Sequence, residues 1–262
     1  MDINDVRNIK AIDVHNHLFH FPQYDNEMQS NDLETSWKTA TAANTEKLFI
    51  STMEGVCHAE QTEAENDYLW NLSQEVDYLY QWVVIDPKNE NTFLQAKRML
   101  NNGKCVGIKL HPKEHNYTLA EFGDKIFSFA SDFGAIVQIH PEDSATWILP
   151  YADKYPDVTF LVAHMCSWLG RAYADAIEQA KHGNVWTDTS GAASYCNQGI
   201  EYTVNRVGSD KILYGTDGYA PGFQRGRIEY AGISDEDKAN ILRFNAERLF
   251  AKTFARADQA KK

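Results

Sequence analysis

Histidine and aspartate recur in this chain at the points where short apolar runs stop. The first run, Ala11–Val14, leads into His15-Asn16-His17, and later runs stop at His111, His140, His164 and Asp217. Strand side chains alternate, so His15 and His17 point one way while Val14 and Asn16 point the other. Two imidazoles side by side at the C-terminal tip of a strand make half of a metal site, and imidazole with carboxylate suits a divalent cation. A solitary histidine pair is often only surface. Here five of the nine histidines sit at run ends, which one packed or solvated histidine does not explain.

The runs that would position them are Ala11–Val14, Leu48–Thr52, Trp82–Ile85, Cys105–Leu110, Ala135–Ile139, Thr159–Ala163, Val185–Thr187 and Ile212–Tyr214. Most are near-continuously apolar, as parallel strands covered on both faces are. Between them Glu63–Val76, Asn91–Asn101, Leu119–Asp132, Ala145–Tyr155, Arg171–Lys181 and Asp235–Ala251 carry helical spacing of apolar residues. Ser144 and Ser234 read as N-caps, and Asn101-Asn102-Gly103 and His182-Gly183 as helix stops. The strand-to-strand repeat of roughly 30 residues is that of an eight-fold βα barrel. An open doubly wound sheet would use the same units, but its first turn is usually glycine-rich, whereas here the first strand ends in Asp13-Val14-His15-Asn16-His17. The expected architecture is a (β/α)8 TIM barrel forming one domain over residues 1–262, in which the strand tips converge on one mouth. Phe19–Ala43 reads as a lid-like loop followed by a helix.

Composition narrows the function classes. Hydrophobic residues make up 43% and charged residues 24%, which is enough apolar material for a large core. The formal net charge of -12 repels phosphate backbones and anionic membrane surfaces, so neither nucleic acid nor membrane is expected as a partner. Met1-Asp2-Ile3-Asn4-Asp5 has no leader-like pattern and no apolar run is long enough to span a bilayer, so a soluble cytoplasmic protein is expected. Cys57, Cys105, Cys166 and Cys196 lack CxxC spacing and read as reduced thiols; Cys166, two residues past His164, lies within reach of the site but fits a core position better.

Taken together, Ile12-Asp13-Val14-His15-Asn16-His17, Gly107-Ile108-Lys109-Leu110-His111-Pro112, His140, His164, Gly215-Thr216-Asp217 and Asn245-Ala246-Glu247-Arg248-Leu249-Phe250 resemble the amidohydrolase superfamily. The resemblance is to its amidohydrolase-related group, which includes aminocarboxymuconate-semialdehyde decarboxylase. It implies that His15, His17, His140 and Asp217 hold one divalent ion, most simply zinc, with manganese, iron or nickel accepting the same set. The ion would lower the pKa of a water in its open position toward about 7. Asp217 would also take that water's proton, and His164 would polarise substrate or move a proton. Binuclear relatives carry a carbamylated lysine on strand four, so Lys109 in that form would add a second ion; the favoured expectation is one ion, with Lys109 and His111 contacting an anionic substrate.

Further signals are weaker. Glu54 could approach from strand two. The mouth loops hold His20, Tyr24, His115, Trp168, Tyr195, Arg225 and Arg227, of which the arginines could clamp a substrate carboxylate, and Arg225 is taken as a substrate-binding residue. Tyr68, Trp70, Tyr78, Tyr80 and Trp82 are expected to pack outside the barrel. The leading function is metal-dependent hydrolysis of a C–N or C–O bond (amide, lactone or ester) in a small, carboxylated molecule. Non-oxidative decarboxylation of a small carboxylic acid is the alternative, and a non-catalytic metal-binding barrel the second. Self-association is an expectation from the resemblance, with no interface marked in the sequence.

Overall fold

The computed structural model describes residues 6–19, 32–167, 170–191 and 198–260. Eight strands, all parallel and in the order β1 to β8, form a single sheet: β1 Ala11–Leu18, β2 Thr45–Thr52, β3 Leu79–Val84, β4 Cys105–Leu110, β5 Ile136–Ile139, β6 Thr159–Val162, β7 Val185–Asp188 and β8 Ile212–Leu213. The ring is completed between last and first strands by Val14 N–H donating to Tyr214 O (2.9 Å) and by Thr216 and Asp217 N–H both donating to His15 O (3.0 and 2.7 Å). The chain is therefore a single-domain (β/α)8 barrel. No helix among the described residues is long and apolar enough to cross a membrane.

Helices α1 Leu33–Ala42, α2 Met53–Cys57, α3 Thr62–Glu75, α4 Glu90–Met99, α5 Leu119–Asp132, α6 Leu149–Lys154, α7 Gly170–Gln179, α8 Gly199–Val207 and α9 Pro221–Glu229 occupy the connections. The outward face of the strands packs on them: Val83, Ile108, Val137, Val162 and Ile212 share one buried cluster with Phe93, Ile126 and Phe127. Thr118 caps α5 in a reciprocal capping box with Glu121, and Ser144 and Ser234 accept backbone N–H bonds at the helix starts where the sequence put them. The helix expected over Asp235–Ala251 is broken into α10 Asp235–Ala239, a π-helical turn Asn240–Phe244 and α11 Asn245–Leu249. The wider turn leaves the Ile241 carbonyl for Tyr214 N–H at 2.9 Å. A last helix, α12 Ala251–Ala260, escaped the sequence reading.

The barrel interior is filled by Ile12, Val14, Phe49, Trp82, Val106, Leu161, Trp186 and Leu213, and Ala246, Phe250 and Ala257 from α11–α12 close its N-terminal end. Trp82 and Tyr80 belong to this cluster, which corrects the expectation that they pack outside. Alternation explains it, since Leu79 and Val83 take the outward positions. The Trp82 indole N–H donates to Val14 O (2.9 Å), and a Cβ on Gly107 would lie 2.6 Å from Trp82 Cζ3. That glycine leaves room for the ring.

Two strand limits matter for the site. β1 runs to Leu18, four residues beyond the apolar run, and all eight of its residues are buried, the polar ones included. Between Asp13 and Asn16 three steps on β1 oppose two on β2, a bulge that re-aims the strand tip. β7 ends on Asp188, one residue past the expected Thr187.

Candidate metal centre

The bulged β1 tip brings His15 Nε2 and His17 Nε2 to 3.2 Å from each other. Asp217 Oδ1, from the turn after β8, lies 3.2 Å from the first and 3.3 Å from the second. These three atoms make a nearly equilateral triangle. Donor atoms bonded at about 2.1 Å to one ion at a tetrahedral angle lie about 3.4 Å apart, so the triangle has the size of one face of a coordination shell.

The outer nitrogens show which way the imidazoles are turned. His17 Nδ1 lies 3.0 Å from Ser51 O and 3.1 Å from Ser51 Oγ; the carbonyl can only accept and the hydroxyl can accept too, so the arrangement that satisfies both puts the proton on Nδ1 and leaves Nε2 bare. His15 Nδ1 faces Asp188 Oδ2 and Ser190 Oγ, both at 3.0 Å. An outward N–H held by a carboxylate or carbonyl is the arrangement that orients metal-ligating histidines. Three electron-pair donors converge here while the Lys109 ammonium, 2.9 Å from His15 Nε2, serves one corner of the triangle; a divalent ion would serve all three, and this is the observation on which His15, His17 and Asp217 fit one.

The electrostatics agree. Burial, then the Lys109 ammonium, pushes His15 down to about 3 and so keeps its imidazole neutral. Burial alone would raise Asp217, but His164, His17 and His15 outweigh it and hold this carboxyl well below the usual range. Burial also pushes Lys109 down to about 8.

The backbone holds the site in sparsely populated conformations. His164 has φ 74° and Asp217 φ 61°, left-handed values that cost non-glycine residues on the order of 1–3 kcal/mol each and persist only where surroundings enforce them. At Asp217 the turn lets two successive N–H groups reach His15 O. Close packing fixes the rest: a Cβ on Gly215 would stand 2.9 Å from His15 Cβ, and one on Gly191, itself at φ 74°, 3.0 Å from His164 Cβ.

The other expected site residues are distributed as follows. His140 does not join the triangle; its Nδ1 lies 3.0 Å from His164 Nε2, and its ring stacks on His111 at 4.0 Å between centroids. His140, His164 and Asp217 nevertheless line one cleft of about 400 Å³ with Lys113, Glu142, Ser167 and Gly191. Lys109 is buried on the floor, Nζ 2.9 Å from His15 Nε2, beside the would-be ion rather than out where substrate would approach. Glu54 is buried in α2. His115 is buried with Nε2 3.1 Å from Gly55 O, and Arg227 is half-buried on α9.

Arg225 is a correction. Its guanidinium bonds Val6 O, Arg7 O and Asn44 O at 3.1 to 3.3 Å and pairs with Glu229 at 2.6 Å. Those carbonyls precede β1 and β2, at the end of the barrel away from the mouth, so this side chain anchors α9 and does not clamp substrate. A sequence places Arg225 eight residues after Asp217 but does not show which way α9 turns it. His20, Tyr24, Trp168, Tyr195 and Cys196 lie outside the described residues. Cys57, Cys105 and Cys166 are free thiols; Cys166 packs in the core, and burial pushes Cys105 up to about 12.

Sequence reading missed Asp188 and Ser190. Asp188 ends an apolar strand just as the histidines do, so the pattern that found them could have found it. Ser51 and Ser190 carry no such signal.

The amidohydrolase family model matches residues 12–252, and the chain belongs to this family. No curated protein matches it. Among solved structures, 5-carboxyvanillate decarboxylase from Novosphingobium aromaticivorans, complexed with manganese and 4-hydroxy-3-methoxy-5-nitrobenzoic acid, is similar at TM-score 0.71 and 16% identity over 96% of this chain and 99% of that one. A 2,6-dihydroxybenzoate decarboxylase complexed with 2,6-dihydroxybenzoate is similar at 0.71 and 15%, over 93% and 99%. A probable 2-pyrone-4,6-dicarboxylic acid hydrolase from Acinetobacter baumannii with citric acid bound is similar at 0.65 and 14%, over 93% and 100%. At these identities the likeness is one of fold.

Proposed function

We infer that the protein is a metal-dependent hydrolase that cleaves a C–N or C–O bond, as in an amide, lactone or ester, of a small carboxylated molecule. The observation that carries this reading is Asp217: one oxygen completes the histidine triangle, and the side chain, 23% exposed, also lines the cleft. A carboxylate so placed is both ligand and base. His15, His17 and Asp217, with His140 at the end of β5 as a fourth ligand, would hold an ion whose chemistry is Lewis acidity and a water acidic enough to ionise near neutral pH. Asp217 takes the proton of the attacking water and returns it to the departing nitrogen or oxygen as the bond to carbon breaks. His164, which lines the cleft and whose Nε2 lies 3.0 Å from His140 Nδ1, assists the movement of that proton. Lys113 at the cleft and His111 beside His140 would meet a substrate carboxylate, with the Lys109 charge adding its pull from the floor.

Zinc is the ion we expect and the cytoplasm the location. Non-oxidative decarboxylation is the second reading, supported by cations near a candidate metal centre that could hold a carboxylate and by barrels of the same fold named as decarboxylases. The test is a panel of lactones, amides and esters alongside carboxylated aromatics, assayed with zinc- and manganese-loaded protein. Hydrolysis that is lost on chelation supports the first reading; carbon dioxide release with no hydrolysis across the panel overturns it.

A further inference from the structure

Ser190, one residue past Thr189 on the loop after β7, contacts both halves of the site. Its Oγ lies 2.9 Å from His164 Nδ1 and 3.0 Å from His15 Nδ1, and it is in short contact with Asp188 Oδ1. It is fully buried. We propose that Ser190 is a positioning residue that fixes the tautomer of His164, holding its proton on Nδ1 so that Nε2, 3.0 Å from His140 Nδ1, keeps its lone pair.

Counting protons gives the result. Asp188 Oδ1 also receives the backbone N–H groups of Ser190 (3.0 Å) and His164 (3.3 Å), which can only donate, so this oxygen is an acceptor. The hydroxyl proton of Ser190 therefore goes to Asp188. With that proton committed, Oγ has only lone pairs left for the two imidazoles, and each Nδ1 facing it must bring its own hydrogen. His15 has a second acceptor for its N–H, Asp188 Oδ2 at 3.0 Å. For His164 Nδ1, Ser190 Oγ is the acceptor the structure gives. The two histidines thus depend on Ser190 unequally.

This deepens the reading of His164 as a group that assists proton movement, but its test reads the ring rather than turnover. Long-range proton–nitrogen NMR correlations on the zinc-loaded, nitrogen-15-labelled full chain report which imidazole nitrogen bears hydrogen. In the wild type His164 should show the Nδ1–H pattern. Ser190→Ala should move His164 toward Nε2–H while leaving His15 unchanged, and Ser190→Thr, which restores a hydroxyl, should restore the wild-type pattern. Zinc affinity, measured by chelator competition, should fall less than about tenfold in Ser190→Ala, against about 10–100-fold for Asp188→Asn, which disturbs the support of His15 directly. An Nε2–H pattern for wild-type His164, readable whether or not any variant folds, overturns the proposal. So does a Ser190→Ala pattern identical to wild type. Failure to hydrolyse any compound of the panel bears on the proposed function alone and leaves the tautomer result standing.

Discussion

Asp13 Oδ2 accepts the Thr216 hydroxyl at 2.6 Å, across the seam where the last strand meets the first. The same carboxylate accepts Asn16 Nδ2 at 2.9 Å and the backbone N–H groups of Thr216 and His15 at 3.1 and 3.2 Å. One buried side chain therefore ties the turn that carries Asp217 to the strand tip that carries both histidines. The triangle is only as accurate as this clasp.

Replacing Asp13 with Asn puts an amide hydrogen against groups that donate, and should lower stability at pH 8 by about 1–3 kcal/mol. Burial pushes the Asp13 carboxyl up to about 7 from 3.8, despite its hydrogen bonds. The folded chain then holds this proton more tightly than the unfolded one, so its contribution is present below about pH 4 and lost as pH rises toward 7. Thermal melts of chelator-treated protein across that range should show stability falling with pH in wild type and a flatter profile in Asp13→Asn; parallel profiles would remove Asp13 as the titrating group.

Replacing His15 or His17 with Ala should lower metal content and activity together, because each removes one corner of the triangle. Elemental analysis of untagged protein purified without added metal should give near one transition-metal ion per chain for wild type. Unchanged metal content in His15→Ala would end the ligand assignment. Two ions per chain, rising with added bicarbonate, would instead assign Lys109 a bridging role.

His164→Gln should retain most of the metal and lose turnover by about 10²–10⁴-fold, the usual range for a group that moves or stabilises charge on a proton-transfer path. Comparing metal content and kcat on one preparation checks this. Full activity would remove His164 from the mechanism.

Arg225→Met should be destabilising by about 2–4 kcal/mol, since it leaves buried carbonyls and Glu229 without their cation, yet KM should not change in the folded fraction. Urea unfolding with KM measurement separates the two effects. A raised KM with normal stability would restore Arg225 to the site.

How much of this was legible in the sequence depended on burial pattern. Parallel strands buried on both faces leave continuous apolar runs, and all eight barrel strands were found that way. The Cys105–Leu110 strand was found to the residue, but the end of β1 was not, because His15, Asn16 and His17 are polar yet buried, and an apolar count stops at Val14. The same stop at Thr187 hid Asp188. Arg225 shows the converse limit: residue type suggested a clamp, but the direction of α9 decides what the guanidinium meets. The split of the Asp235–Ala251 helix came from a π turn whose Ile241 carbonyl accepts Tyr214 N–H, a contact that apolar spacing does not encode. His140 was rightly placed at a strand end, but its pairing with His164 depends on ring rotation, which spacing does not encode.

The closure of the sheet between Tyr214 and Val14 also sets the order of events in making the protein. Both histidines of the triangle precede its carboxylate by about two hundred residues in the chain. A growing chain that has formed seven strands holds the histidines but lacks the Asp217 corner, so this triangle is complete only once the eighth strand has docked. The ion would then act as a latch on a ring already shut, and chelation should loosen the first-to-last seam before it loosens any other pair of strands.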